Sequence, residues 1–73
     1  MTTTRSTNDV PTLTTRDVEA LLLLAEGLST AEIADAMALS TNTVRTKVRR
    51  LGAKLGAAGR EDVVARAREL GVV

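Results

Sequence analysis

The sequence predicts an all-α domain of four short helices, and three observations predict it. Apolar residues recur at three- and four-residue steps from Leu13 to Leu70, no stretch alternates apolar with polar residues, and Gly27, Ser29, Ser40, Gly56 and Gly71 punctuate the pattern at helix-sized intervals. The 73 residues suit one domain near the lower size limit for folding without staples. Cysteine, histidine and all aromatic residues are absent, so the core must be built from Leu, Val, Ile, Met and Ala.

Residues 1–12 are rich in Thr and Ser, lack apolar periodicity and hold the only Pro, and they are expected to form a disordered leader or linker ahead of a domain over 13–73. The first helix is predicted to start at Thr14-Thr15-Arg16-Asp17. There a Thr side chain can accept free amides and the acid three residues on can answer back. Val18, Leu21, Leu22 and Ala25 follow as its expected inner face, and Gly27 supplies a left-handed stop. A second capping box, Ser29-Thr30-Ala31-Glu32, opens a helix of about two turns whose expected core residues are Ile33, Ala34 and Met37, with Leu28 and Leu39 at its ends. The third helix runs from Ser40 to about Leu55 on the stripe Val44, Val48, Leu51, Leu55, and Gly56 can end it. The fourth spans about Arg60 to Leu70, with Val63, Val64, Ala67 and Leu70 inward and Gly71 as the stop.

Net charge is +1, but it is distributed unevenly: residues 12–35 carry −4, residues 36–60 carry six bases and no acid, and residues 61–73 carry −1. A local basic block on a near-neutral domain suits a nucleic-acid reader, and equally a solvated basic helix face. The third helix distinguishes the two further. With Val44 at zero and about 100° per residue, Val48, Leu51 and Leu55 lie within about 40° of it. Asn42, Arg45, Thr46 and Arg49 fall between about 100° and 200°, opposite the core. Lys47, Arg50 and Lys54 form a cationic shoulder. Arg can grip guanine and Asn adenine through paired hydrogen bonds, the Thr methyl can touch that of thymine, and the shoulder can neutralise phosphates. The short second helix, the turn Ala38-Leu39-Ser40 and the long third helix have helix-turn-helix form. Ser29 and Thr30 open a helix whose N-terminus is a candidate phosphate seat, as is the helix end at Ser40; the alternative is that both serines merely cap, and for Ser40 capping alone is the expected role.

Leu13–Asp17 (L-T-x-R-[DE]), Ala25–Ser29 (A-E-G-L-S), Glu32–Ala34 (E-I-A), Ser40–Val44 (S-x-x-T-V), Lys54–Gly56 (K-L-G) and the ending A-R-A-R-E-L-G follow one another almost without gaps over about sixty residues. The run resembles the C-terminal DNA-binding domain of LuxR/NarL-type (GerE-like) bacterial transcription regulators. The resemblance implies a four-helix domain that binds double-stranded DNA as a homodimer on inverted half-sites, with RNA polymerase as a further candidate partner. It implies base reading by Arg45, Thr46 and Arg49, phosphate proximity for Thr43, Lys47 and Arg50, and pairing through Val64, Ala67 and Arg68. Lys47 stands where the family often has His, which adds charge. Gly52 stands where it usually has a large side chain, which implies looser packing. Such domains normally follow a receiver or ligand-binding domain, so the chain reads either as a stand-alone member or as the end of a longer regulator.

Other readings remain on the residues alone: a promoter reader like the fourth region of a sigma factor, or a helical protein-interaction module. An enzyme is not expected, because His and Cys are absent and no Gly-rich phosphate loop occurs; Asp17, Glu26 and Glu32 read as helix-start and surface charges. No cofactor or metal is expected. The longest apolar run, Ala20–Ala25, is far too short for a membrane span, and no secretory signal is evident, so the expected location is the cytoplasm.

Overall fold

The computed structural model describes residues 12–73, which form four helices: α1 (Thr15–Ala25), α2 (Thr30–Met37), α3 (Thr41–Leu55) and α4 (Arg60–Glu69). The expected leader lies, Thr12 apart, outside the described residues. Local chemistry starts three of the helices. Thr14 accepts from the Asp17 amide while the Asp17 carboxylate accepts from the Thr14 amide, and Ser29 and Glu32 repeat the exchange at α2. Ser40 caps α3 by accepting from the Thr43 amide at 3.1 Å. α4 begins at Gly59 without a side-chain cap.

The helices end in a shared way. In each, an amide beyond the last turn reaches back five residues: Leu28 to Leu23, Leu39 to Ala34, Ala57 to Gly52 and Val72 to Ala67, at 2.8–3.2 Å. The residue before that amide must turn left-handed. Glycine fills this place after α1, α3 and α4, but Ala38 fills it after α2, at φ 58°. Arginines cover two of the same carbonyl ends. Arg16 donates to the Met37 carbonyl at 2.8 Å and Arg66 to the Leu55 carbonyl at 3.0 Å, binding α1 to the end of α2 and α4 to the end of α3.

The core joins Ala20, Leu21 and Leu24 of α1, Ile33, Ala34 and Met37 of α2, Val44, Leu51 and Leu55 of α3, and Val63 and Ala67 of α4. For α1 this corrects the expected face. Leu22 is exposed and Val18 and Ala25 are half-buried, whereas Ala20 and Leu24 are inside. Four consecutive leucines fit two neighbouring stripes, and the buried one is Asp17, Ala20, Leu21, Leu24, whose first member is charged. The packing expected to be loose at Gly52 is also corrected. Gly52 is buried, and a Cβ built there would lie 3.0 Å from the Ala57 carbonyl oxygen and 3.5 Å from Val63. The missing side chain lets the link into α4 fold tightly against α3.

Asp17 ties α1 to α3. Its Oδ1 accepts from Lys47 Nζ at 3.0 Å and its Oδ2 from Lys54 Nζ at 3.2 Å, while Oδ2 also serves the Thr14 amide. The residue is 6 % exposed, so the expectation of a surface charge fails here. Burial pushes its carboxyl pKa up, but the Thr14 amide and the two ammonium groups outweigh burial and hold it well below the usual carboxylate range.

Replacing Ala38 by Gly should raise stability by about 0.5–1 kcal/mol, because relief of the left-handed strain exceeds the entropy gained by the unfolded chain. An unchanged or lower thermal midpoint would contradict it. Gly52→Ala should lower stability. The helix-propensity gain is at most about 1 kcal/mol, whereas overpacking costs about 1–3 kcal/mol. Here the obstructing carbonyl belongs to Ala57, whose own amide is fixed on Gly52. Chemical denaturation of the variant decides the sign. Because the Asp17 carboxyl titrates lower in the fold than when unfolded, its contribution is complete above about pH 4 and is lost as the pH falls from there. Unfolding measured against pH should show that loss. Asp17→Asn should remove it and cost about 2 kcal/mol at neutral pH, less than a fully buried pair because both lysines keep contact with water.

Candidate nucleic-acid interface

α2, the turn at Ala38–Ser40 and α3 form a helix-turn-helix, and the rest of the chain holds α3 by one side. Val44, Leu51 and Leu55 are buried and Val48 is half-buried, which turns that side of α3 toward the core. The opposite edge therefore projects. Asn42, Arg45 and Arg49 are exposed and Thr46 is half-buried, so the four residues expected to read bases share one edge. Arg45 donates to the Asn42 side-chain oxygen at 3.2 Å, and a neutral amide beside the guanidinium costs it none of its charge. Arg49 has no hydrogen bond or ion pair among the described residues.

The residues expected near phosphates separate into three groups. Thr43 and Arg50 are exposed and line, with Thr14, Asn42, Thr46, Lys47 and Lys54, a groove of about 450 Å³ between α3 and the start of α1. Thr43 accepts a hydrogen bond from the Ser40 hydroxyl at 2.9 Å. Lys47 and Lys54 lie on the same flank but are committed to Asp17, and Lys54 also donates to the Thr12 carbonyl at 3.3 Å. Ser29 and Thr30 are elsewhere. Ser29 borders a different groove, with Leu24, Arg60, Val64 and Arg68, and the Glu32 carboxylate already occupies the Ser29 amide at 2.8 Å. That places a negative charge at the helix end where a phosphate was expected.

Of the residues expected to pair two copies, Val64 is half-buried and Arg68 exposed, and both border the groove between α4 and α1. Ala67 is corrected: it has no exposed surface and belongs to the core, so it cannot touch a second chain. The groove beside α4 lies between Leu24 and Ala25 of α1 and Arg60, Glu61, Val64 and Arg68 of α4.

The partnership of Asp17 with Lys47 and Lys54 is absent from the sequence reading. The residues are thirty and thirty-seven positions apart. The available signal was the placement of Asp17 at the head of the stripe Ala20, Leu21, Leu24, facing the only helix that carries lysines.

Among the described residues no helix is long and apolar enough to cross a membrane, and no group of three or more acids could hold a metal ion. Comparison with protein families matches residues 11–67 to the bacterial regulatory proteins of the luxR family, the GerE type. Among solved structures, the VqmA dimer of Vibrio cholerae, described as a LuxR-type receptor, superposes with a TM-score of 0.82 at 32% identity over 89% of this chain and 29% of its own. The response regulator ChrA of a heme-sensing two-component system gives 0.82 at 28% identity, over 93% of this chain and 36% of its own. The transcription factor GerE gives 0.77 at 33% identity, over 82% of this chain and 90% of its own. The chain thus spans about a third or less of VqmA and ChrA, but most of GerE. With the helix-turn-helix, its outward basic edge and these matches agreeing, the chain belongs to the luxR family of bacterial regulatory proteins and carries that family's DNA-binding domain.

Proposed function

We propose that the domain regulates transcription by laying α3 in the major groove of double-stranded DNA, paired with a second copy on inverted half-sites. The observation that carries this reading is the single edge formed by Asn42, Arg45, Thr46 and Arg49, opposite the buried Val44, Leu51 and Leu55. A helix held from behind by an apolar seam presents such an edge to base pairs without reorganising. Arg45 and Arg49 lie four residues apart, about one turn, and so address neighbouring base pairs, with guanine as the base that best accepts a bidentate guanidinium. Thr43 and Arg50 border the edge and contact the phosphate wall, which sets register without reading sequence.

Pairing uses α4, through Val64 and Arg68 beside the groove that separates it from α1. This surface is small, so the copies pair weakly in solution and firmly only when both sit on DNA. VqmA is described as a dimer in the absence of target DNA and, separately, as a ligand–DNA complex, so a relative of similar fold both pairs and binds DNA. RNA polymerase is the further partner of a promoter-bound pair, and bacterial DNA places the action in the cytoplasm, at the nucleoid.

Selection of bound duplexes from a random pool should recover an inverted repeat. Against that site Arg49→Ala should cost about 1–3 kcal/mol, with a much smaller loss on random duplex. Equal losses on both would make Arg49 a phosphate contact. Failure to enrich any sequence would reject base reading.

A further inference from the structure

Asp17 belongs to the scaffold by its burial, yet both its ammonium partners stand on the flank of α3 that borders the candidate interface. Lys47 and Lys54 are two turns apart, and each takes one oxygen of the same carboxylate, at 3.0 and 3.2 Å. Two oxygens of a DNA phosphate would offer these ammonium groups the same chemistry. We propose that Asp17 is a positioning residue that acts as an internal substitute for a backbone phosphate, holding Lys47 and Lys54 against α1 and withholding them from DNA.

The inference rests on the DNA-binding reading above and adds a control on it. Affinity for DNA of any sequence comes from phosphate neutralisation, and a regulator must find its site among a great excess of random duplex. Residues 36–60 hold six bases. Were all six free, the sequence-independent share of binding would grow while Arg45 and Arg49 gained no further power to discriminate. Asp17 removes charge from the phosphate-facing flank and leaves the base-reading edge untouched. A phosphate cannot easily win the lysines back. Taking both would leave a buried carboxylate served only by the Thr14 amide, and an uncompensated buried charge is expensive. Arg50 lines the same groove, is exposed, and has no ion pair among the described residues, so it serves as the internal comparison.

The test is the salt dependence of binding to a random-sequence duplex, followed by fluorescence anisotropy, for the wild-type chain and for Asp17→Asn, Asp17→Glu, Lys47→Gln and Arg50→Gln, each checked for helicity by circular dichroism. Asp17→Asn should steepen the log–log slope by about 0.9 to 1.8 units, the contribution of one or two released lysines. Binding should accordingly gain up to roughly tenfold more than wild type when salt falls from about 200 to about 50 mM. Asp17→Glu, which keeps the charge, should hold the wild-type slope. A folded Asp17→Asn with an unchanged or shallower slope overturns the inference and leaves Asp17 a purely structural residue, since lost stability alone does not steepen a salt slope. Should Asp17→Asn not fold, the remaining pair decides. Arg50→Gln should flatten the slope by about 0.9 units and Lys47→Gln by less than half as much, whereas equal losses overturn the inference. A wild-type chain that binds duplex without salt dependence overturns the DNA reading itself, and this inference with it.

Discussion

The carboxylate of Asp17 is taken out of water at the seam between α1 and α3, and that removal sets conditions on everything around it. An ionised carboxylate inside a protein must be matched by donors on all sides. The Thr14 amide supplies one from its own helix, and Lys47 and Lys54 supply the others from α3. Satisfying the charge therefore fixes the start of α1 against the flank of the recognition helix. Apolar packing alone would allow α3 to rotate a little within its slot, since aliphatic side chains have no directional preference. Three directed hydrogen bonds to one carboxylate do not. The angle at which Arg45 and Arg49 leave the domain depends on this anchor as well as on the core.

α3 thereby carries three tasks, sorted by angle around one axis. Its seam of Val44, Leu51 and Leu55 fills the core, its flank is tied to α1, and its outer edge is left for a partner. The two ends are held as firmly. Ser40 closes the first turn, and Arg66 reaches from α4 to the Leu55 carbonyl at the last. Gly52 permits the chain to turn back so closely that Val63 packs over the helix. A probe held at both ends and along two sides loses little freedom on meeting DNA, so more of its contact energy remains as affinity.

The distribution of this information along the chain explains which parts could be read in advance. The helix starts at Thr14, Ser29 and Ser40, and the stops at Gly27, Gly56 and Gly71, rest on bonds between residues three to five apart, which a sequence displays directly. The outer edge of α3 was legible for the same reason, because helical geometry relates Asn42 to Arg49 without help from any other element. The face of α1 was not legible. Leu21 to Leu24 offer two stripes of equal hydrophobicity, and the choice went to the one containing Asp17, a residue that looks unfit for a core until its distant lysines are in place. Gly52 misleads similarly, since an absent side chain reads as a gap unless the position of Ala57 is known. Likeness alone puts Ala67 on a pairing surface, and its burial shows only once α4 is packed into the core.

The same arrangement gives the domain an electrical polarity that its net charge of +1 conceals. Glu19, Glu26, Glu32 and Asp35 are exposed on α1 and α2, while Arg45, Arg49 and Arg50 are exposed on α3. Among the described residues of the first half, Asp17 is the acid that turns inward, and it pairs with two lysines, of which Lys54 stays exposed. What remains on the surface is an acidic side that repels a polyanion and a basic edge that attracts one. In salt water such fields reach about 8 to 10 Å, enough to orient a domain in the last steps of approach. A uniformly basic surface would hold DNA in many poses and read it in few. Concentrating the attraction along the edge that also carries the base-reading side chains makes the pose that binds the pose that reads.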